Sequence, residues 1–285
     1  MYTAMRLFID KETGMPLSGE FRRFIYSAYK KENRTFPWRE NTDPWGILVS
    51  EIMLQQTQTE RVVSYWKRWM EKWPGAADLE RAPFAEVLSE WSGLGYNRRA
   101  RYLKESAAMI VRNFAGSVPD SPGALMKLPG IGPYTAGAIA CFAYNKPTVF
   151  IETNIRSVMI HFFFSGREGI NDREILPVIE ETLDRKNPRK WYWALMDVGA
   201  ALKKSNANPN RRSAAYTRQS VFSGSLRQIR GSLVRALVSG GKATAEELRE
   251  RMDITAGKED FYKALEALKK ESIVAEEEGS YSISG

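Results

Sequence analysis

The sequence has very little cysteine and histidine, with one of each in 285 residues. Cys141 alone cannot form an intrachain disulfide or a cysteine-held metal cluster, and no Cys/His grouping has the spacing of a zinc site. Because a disulfide framework is missing, we expect a cytoplasmic protein. The chain also lacks any run of about 20 apolar residues, so we expect no membrane-spanning helix. Its first ten residues lack a basic region followed by an apolar run, so we expect no signal peptide.

Acidic residues are missing from Val198 to Ala245, whereas lysine and arginine are frequent there. The cations of this segment are Lys203, Lys204, Arg211, Arg212, Arg218, Arg227, Arg230, Arg235 and Lys242. The formal net charge of the whole chain is +8. A basic segment without carboxylates is typical of a surface that binds a polyanion, although a solvated loop would also account for it.

A glycine-rich turn is followed directly by a helix start. Gly130 and Gly132 flank Ile131 in a turn that we expect to be too tight for side chains, and Pro133 suits the first position of a helix. Backbone N–H groups at such a helix start bind one phosphate well. About twenty residues later, Glu152 follows an apolar segment. A phosphate-binding turn near a carboxylate predicts chemistry on DNA rather than binding alone.

Three motifs together resemble one group of DNA repair enzymes. The turn with its downstream acid resembles the helix-hairpin-helix superfamily of DNA base-excision glycosylases. The other two resemble the A/G-specific adenine glycosylases (the MutY group) within it. These are Pro37-Trp38-Arg39 with Ser50-Glu51-Ile52-Met53-Leu54-Gln55-Gln56-Thr57-Gln58, and Gly93-Leu94-Gly95-Tyr96. The motifs span about residues 20–202 in the family's order.

The hydrophobic pattern is helical almost throughout, so the fold class predicted is all-α, and the resemblance implies a helix-hairpin-helix DNA glycosylase fold. We expect the glycosylase body over residues 1–219. Within it, we expect a six-helix subdomain at about 45–145 and a second helical subdomain formed by 18–44 together with 146–205. Asp43 before Pro44 predicts the start of a long helix.

A separate C-terminal module is predicted over residues 225–285, after a basic linker at 203–224. Three amphipathic segments and a short hairpin around Gly279 predict a small winged-helix domain. Thr244 and Glu247 have the spacing of a capping box at the start of its second helix. Because the wing is acidic, we expect this module to serve docking more than DNA reading.

Two carboxylates are the predicted catalytic residues. Releasing a base passes through an oxocarbenium-like sugar, which suits one carboxyl group that protonates the leaving base and one that stabilises the cation. The resemblance implies the first role for Glu51, whose apolar neighbours would raise its pKa, and the second for Glu152. From the helix alone, Glu51 could equally be a surface glutamate.

Glu152 departs from the family, which has aspartate at this position. One extra methylene moves a carboxylate by more than an ångström, and an error of that size can lower a rate about a hundredfold. Three outcomes stay open: a reshaped pocket in which the glutamate reaches the sugar, a slow enzyme, or a protein that only binds DNA.

Tyr134 is a third candidate for the catalytic site. Bifunctional relatives such as endonuclease III have a lysine there, whose amine forms a Schiff base with the sugar. The tyrosine therefore predicts a monofunctional glycosylase without lyase activity. Tyr134 could hydrogen-bond Glu152 or simply pack against its neighbours.

The predicted DNA contacts come from the motifs and from the basic segment. In the family, the matching glutamines fill the space left by a flipped base and the tyrosine wedges beside the opposite base; Tyr96 could also be a core aromatic residue. The full predicted set is Arg39, Gln55, Gln56, Tyr96, Arg99, Gly130, Gly132, Thr135, Lys203, Arg211 and Arg212.

The family's iron–sulfur cysteines follow its Met-Asp-x-Gly-Ala segment, and here that place is basic and lacks cysteine. We therefore expect no iron–sulfur cluster, no metal and no other cofactor, and we expect the basic loop with Arg211 and Arg212 to contact DNA directly. Asp197 is predicted to cap a helix or form an ion pair. It is also a spare carboxylate should Glu152 be unproductive.

The function predicted from these observations is base excision by a nucleoid-associated monomer acting on double-stranded DNA, with adenine opposite 8-oxoguanine or guanine as the substrate. A glycosylase for another damaged or mismatched base is one alternative. A catalytically silent protein that binds damaged DNA is the other. The partner of the winged helix stays open.

Overall fold

The computed structural model describes residues 8–10, 12–205, 208–217 and 222–284. It is largely helical, as the sequence predicts, and ends in a small sheet. The α-helices are α1 (Ser18–Glu32), α2 (Pro37–Glu40), α3 (Pro44–Leu54), α4 (Thr59–Lys72), α5 (Ala76–Arg81), α6 (Phe84–Trp91), α7 (Arg98–Asn113), α8 (Pro122–Leu125), α9 (Pro133–Tyr144), α10 (Thr153–Phe163), α11 (Asp172–Thr182), α12 (Pro188–Ser205), α13 (Leu226–Gly240), α14 (Ala245–Arg251) and α15 (Lys258–Lys270). A short 3₁₀ helix covers Pro209–Arg212. In the part of the chain described, no helix is both long and apolar enough to cross a membrane.

The first of two compact units contains 1–42, 120–123 and 132–218. Its helices α1 and α10 both pack against α12. Phe21 lies in the core of this unit, with its ring edge-on to Phe163 at 4.8 Å and to Trp191 at 5.8 Å between centroids. Edge-to-face aromatic contacts of this kind stabilise a core beyond the area that they bury. The site residues of this unit therefore lie on helices that share a packed aromatic core.

The second unit contains 43–119, 124–131 and 219–285. Asp43 caps α3 by accepting a hydrogen bond from the Gly46 N–H at 2.9 Å, which confirms the predicted helix start. A tryptophan cluster forms the core beneath α3, and Trp69 lies edge-on to Trp73 and Trp91. The Trp66 indole N–H donates to the Gly46 carbonyl at 2.8 Å, so α3 and α4 approach each other closely.

The C-terminal module has three helices, α13 to α15, and a small antiparallel sheet. Its strands are β1 (Ala243–Thr244), β2 (Val274–Glu277) and β3 (Ser280–Ile283), in the order β1-β3-β2. Leu233, Leu237, Phe261 and Leu265 are buried at its centre. The winged-helix arrangement and the Thr244–Glu247 capping box are as predicted, whereas β1 was not foreseen.

The two units do not follow the predicted domain boundaries. Residues 132–145, predicted in the six-helix subdomain, group by contacts with the first unit. The C-terminal module groups with 43–119, because α13 packs against α6. The boundaries at 219 and 225 stay a prediction, and part of the basic linker lies outside the described residues.

Candidate active site

Glu51 lies inside α3 and is 5% exposed. Every α3 residue from Trp45 to Met53 is buried, so a carboxyl group on this helix is surrounded by packed side chains rather than water. An exposed surface glutamate, the alternative left open by the sequence, does not describe this residue. A carboxyl group enclosed in a packed helix is a candidate for the general acid that base release requires.

Arg99 was predicted as a DNA contact, and this prediction is wrong. Its side chain is buried, and its two Nη groups donate to the carbonyls of Ile52, Met53, Leu94 and Gly95 and to the Thr57 hydroxyl, at 2.8–3.2 Å. Burial lowers the pKa of Arg99 from its ordinary 12.5 to about 10. The guanidinium therefore ties the end of α3 to the turn that carries Tyr96.

We expect Arg99→Met to destabilise the protein by about 3 kcal/mol, because it leaves buried carbonyls at the end of α3 without their charged donor. Arg98→Met is the matched control: Arg98 is exposed, and we expect a change within about 0.5 kcal/mol. The measurement is the free energy of unfolding in denaturant. Equal losses for the two variants would show that the Arg99 contacts do not hold this part of the fold.

Two residues predicted to contact the DNA at the mispair have left-handed backbone conformations. Gln56 has φ +56° and Tyr96 has φ +50°, a conformation that non-glycine residues adopt rarely. Gln56 is exposed just beyond α3, and the Gln55 side-chain amide donates to the Gly130 carbonyl at 3.4 Å. Within the second unit, the glutamine pair, the Tyr96 turn and the end of the hairpin thus form one cluster.

The hairpin turn differs from its prediction at one glycine. Gly130 has φ +75°, and a Cβ there would lie 2.6 Å from the Tyr102 ring, so this position requires glycine. Gly132 is extended, with φ −88°, and has space for a side chain, so the prediction that both positions exclude one is wrong. Gly132 caps α9, whose first turn contains Pro133 and the buried Thr135. The phosphate-binding role predicted for this helix start stays a prediction.

Glu152 is the N-cap residue of α10. Its Oε1 accepts hydrogen bonds from the backbone N–H groups of Asn154 at 2.7 Å and Ile155 at 3.0 Å. This is the bonding that a shorter aspartate commonly makes at a helix N-terminus. The extra methylene is thus taken up by a side chain that curls back onto its own helix. Tyr134 packs its ring 5.9 Å from Phe150, two residues before Glu152.

Helix α12 approaches the start of α10 through a glycine. A Cβ at Gly199 would lie 2.3 Å from the backbone oxygen of Asn154, so only glycine allows this contact. Lys203 follows one helical turn later on the same face of α12. Burial lowers the pKa of Lys203 below its ordinary 10.5; nearby Arg156 and Arg34 add to this shift, and Glu152 opposes it. The Lys203 amine, which was predicted to contact DNA, is therefore half-buried and interacts electrostatically with Glu152.

We expect Lys203→Met to slow base release about tenfold near neutral pH, because the cation beside Glu152 is lost. Lys203→Arg keeps that cation. Below its lowered pKa, the half-buried charged lysine costs folding free energy, and this cost shrinks as pH rises from the lowered pKa towards 10.5. Lys203→Met should therefore also raise the melting temperature near neutral pH.

The pH dependence of single-turnover rates checks the role of Lys203. The wild-type rate should fall on the alkaline side below pH 10.5, as Lys203 loses its proton. This fall should move to higher pH in Lys203→Arg, since arginine keeps its proton. The exposed neighbour Lys204, changed to Met, is the control and should leave the profile unaltered. Identical alkaline limbs in the wild type and Lys203→Arg would contradict the assignment.

Asp197 forms the buried ion pair that was one of its two predicted roles. Its carboxylate accepts from the Arg34 Nε at 2.7 Å and from the Arg39 Nη1 and Nη2 at 2.8 and 3.0 Å. The prediction that Arg39 contacts DNA is wrong, because its guanidinium is held by this two-point pairing. Asp197, fully engaged by two arginines, is not a spare catalytic carboxylate.

The two arginines of the basic loop have different surroundings. Arg212 donates to the Phe164 carbonyl at 2.8 Å and to the Ile160 carbonyl at 3.0 Å, which satisfies the end of α10. Arg212 is half-exposed, and its predicted DNA contact stays a prediction. Arg211 is exposed on the 3₁₀ helix, and its predicted DNA contact stays a prediction. The loop residues 206–207 lie outside the described residues.

Comparison with known proteins shows to which family the chain belongs. Residues 49–181 match the "HhH-GPD superfamily base excision DNA repair protein" family. The adenine DNA glycosylase of Mycobacterium tuberculosis is 35% identical over 239 residues, which cover 75% of this chain and 77% of that protein. The chain belongs to the HhH-GPD superfamily. Within it, the chain falls in the group of the adenine DNA glycosylases, and it is a DNA glycosylase of base excision repair.

Further comparisons agree with this placement of the HhH-GPD chain. The adenine DNA glycosylase of Mycolicibacterium smegmatis is 34% identical, covering 81% of this chain and 83% of that protein. A solved thermostable thymine-DNA glycosylase is 28% identical with a TM-score of 0.60, covering 64% of this chain and 86% of that chain. A solved endonuclease III–DNA complex, 20% identical with a TM-score of 0.54, shares the fold.

The residues present do not fit the four-cysteine iron–sulfur cluster of the family. Such a cluster needs four cysteine thiolates, and the sequence has only Cys141, which is buried in α9. Over the described ranges, no group of three or more His, Cys, Asp or Glu side chains is arranged to hold a metal ion. In the family, the first cysteine of the cluster follows the Met-Asp-x-Gly-Ala segment. This chain has the basic end of α12 at that place.

Proposed function

We propose that this HhH-GPD glycosylase hydrolyses the N-glycosidic bond of adenine mispaired with 8-oxoguanine or guanine in double-stranded DNA. The observation that carries the proposal is the buried acid Glu51 on the helix that ends in Gln55 and Gln56. A buried carboxyl group next to residues predicted to contact the base is a candidate general acid for base release. The names of the Mycobacterium and Mycolicibacterium relatives support adenine as the base.

In this mechanism the two carboxyl groups divide the work. Glu51 donates its proton to a ring nitrogen of the flipped purine, while the bond from C1′ to the base breaks and its electron pair leaves with the base. Glu152, held at the start of α10, stabilises the positive charge that develops on the sugar. Water then adds to C1′ and loses a proton, which leaves an intact abasic strand.

We further propose that the enzyme works as a monomer, without an iron–sulfur cluster and without lyase activity. Tyr134, at the position of the Schiff-base lysine of bifunctional relatives, supports the last point. An amine to consider is Lys203, because its charge acts on Glu152. Borohydride treatment during turnover should therefore leave no protein cross-linked to DNA. A cross-link that disappears in Lys203→Met would overturn the monofunctional assignment.

A panel of duplexes tests the substrate. Each duplex carries adenine opposite 8-oxoguanine, adenine opposite guanine or thymine opposite guanine, and abasic sites are revealed with alkali under single-turnover conditions. Thymine is included because the matching solved structure is a thymine-DNA glycosylase. We expect strand breaks at adenine, and only after alkali. Faster release of thymine than of adenine would overturn the substrate, and breaks without alkali would overturn the absence of lyase activity.

A further inference from the structure

The first helix of the C-terminal module is basic. Helix α13 has Arg227, Arg230 and Arg235 and no acidic residue. In contrast, the third helix and the wing neutralise themselves: Lys263 pairs with Glu259, Lys269 with Glu266 and Glu276, and Lys242 with Glu277. A winged helix with this charge distribution is poorly suited to bind a polyanion through its third helix or its wing.

Within the second unit, α13 lies against the turn that carries Tyr96. The Arg227 Nη1 donates to the Tyr96 hydroxyl at 2.9 Å. On the other side of the module, the Arg101 Nη1 donates to the Ser272 carbonyl, and α13 packs against α6. The module thus contacts Tyr96, the residue that the family resemblance places beside the opposite base.

The Arg227 guanidinium lies between two aromatic rings. Its central carbon is 5.7 Å from the centroid of the Tyr96 ring and 5.8 Å from that of Phe222. Phe222 is 59% exposed, which is unusual for a large apolar side chain. Cation–π contacts hold such an arrangement in place, so an aromatic face is presented to solvent beside a fixed positive charge.

These groups line one cleft of about 1030 Å³. Gln55 and Gln56 lie on one side of it, the exposed arginines Arg61 and Arg98 lie on the Tyr96 side, and Phe222 lies on the α13 side. The cleft also contains two carboxylates, but Asp253 pairs with Arg235 and Glu271 pairs with Arg230. A groove that combines arginines, amides and an exposed aromatic ring has the chemistry that recognises a nucleic acid strand.

We propose that α13 and Phe222 form a DNA-binding cleft with the Tyr96 turn, in which phosphates bind Arg61, Arg98 and Arg227 and a base stacks on Phe222. The inference rests on the proposed function in so far as the protein acts on DNA. The proposal assigns DNA binding to the C-terminal module, which we expected to serve docking because its wing is acidic. Within the module, the helix that binds DNA is the first one, α13.

Binding of the full-length protein to a labelled duplex tests the cleft. The duplex carries a mispaired 2′-fluoroadenosine, which resists hydrolysis, and affinity is measured over a range of salt concentrations. Phe222→Ala should weaken binding about tenfold by removing a stacking platform. Arg227→Ala should weaken it and lower the slope of log K against log salt by about 0.9, the loss of one phosphate contact.

Matched controls lie in the same module but outside the cleft. Tyr262→Ala removes an exposed aromatic ring of α15, and Lys270→Ala removes an exposed cation of the same helix; both should bind like the wild type. Melting temperatures of all variants verify folding. Unchanged binding by Phe222→Ala and Arg227→Ala would overturn the cleft, as would equal weakening by the controls. Tighter binding would also overturn it, because the module would then be covering the DNA site.

The cleft and the proposed function can fail separately. If the cleft variants bind weakly while the wild type releases no base from any duplex, the cleft stands and the proposed function falls. If the wild type releases adenine but the cleft variants bind normally, the proposed function stands and the cleft falls.

Discussion

Changing Glu51 to glutamine is expected to lower the single-turnover rate of base release by about 10²- to 10⁴-fold, the usual contribution of a general acid. Glutamine has nearly the shape of glutamate but no acidic proton to give to the leaving base. Because Glu51 is buried in the packed helix α3, a substitution of the same size should leave the surrounding side chains in place. Affinity for the substrate duplex should therefore stay within a few-fold of the wild type.

The control for this change is Glu60→Gln on α4, where the side chain is exposed. It removes the same charge from the same unit and should leave the rate unaltered. If Glu51→Gln released base as fast as the wild type, Glu51 would not be the proton donor. Loss of DNA binding together with the rate would instead make Glu51 a structural residue.

The second large effect on the rate of base release is expected from changes at Glu152. Glu152→Gln should lower the rate about a hundredfold or more, since an amide can still accept an N–H bond at the start of α10 but cannot stabilise a cation as a carboxylate does. Glu152→Asp should stay within about tenfold of the wild type, because aspartate makes the same N-cap bonds. The measurement is the single-turnover rate on adenine opposite 8-oxoguanine.

These two variants also decide between the possibilities left open by the sequence. If Glu152→Asp were as slow as Glu152→Gln, the pocket would require the longer side chain. Aspartate and glutamate would then not be equivalent at the start of α10. If both variants kept the wild-type rate, the carboxylate would have no part in the chemistry. Melting temperatures distinguish either outcome from loss of the α10 cap, which typically costs about 1 kcal/mol.

Local features of the fold could be predicted from the sequence because their causes are local. The Asp43 cap and the Thr244–Glu247 capping box depend on residues within one turn of a helix. Gly130 was predicted correctly because a tight turn constrains its own backbone. The strand β1 was missed because two residues show no alternation, and only pairing with β3 defines it.

The arginines were the main error, and the reason is tertiary. Arg39 and Arg99 have the residue type of a phosphate contact, but each guanidinium donates to acceptors that are distant in sequence. Nothing in the local pattern separates an arginine that clamps the fold from one that faces DNA. Asp197 could have indicated the role of Arg39. A buried carboxylate requires a cation nearby, and Arg39, which belongs to the Pro37-Trp38-Arg39 motif, is that cation.

The cleft beside Tyr96 could not have been foreseen at all. It depends on α13 lying against the Tyr96 turn, 131 residues earlier in the chain. The sequence showed α13 to be basic and the wing to be acidic, but the position of the module is set by the packing of α13 on α6. Likewise, the electrostatic interaction of Lys203 with Glu152 depends on the close approach of α12 to α10 at Gly199.

The most direct test of the account is whether chelator-treated protein releases free adenine from a duplex with adenine opposite 8-oxoguanine, measured by mass spectrometry of the released base. We predict release of free adenine by the wild type, an abasic strand that breaks only with alkali, and loss of release in Glu51→Gln and Glu152→Gln. Tight binding of this duplex without release of any base would contradict the account, and would make the protein a sensor of damaged DNA built on a glycosylase fold.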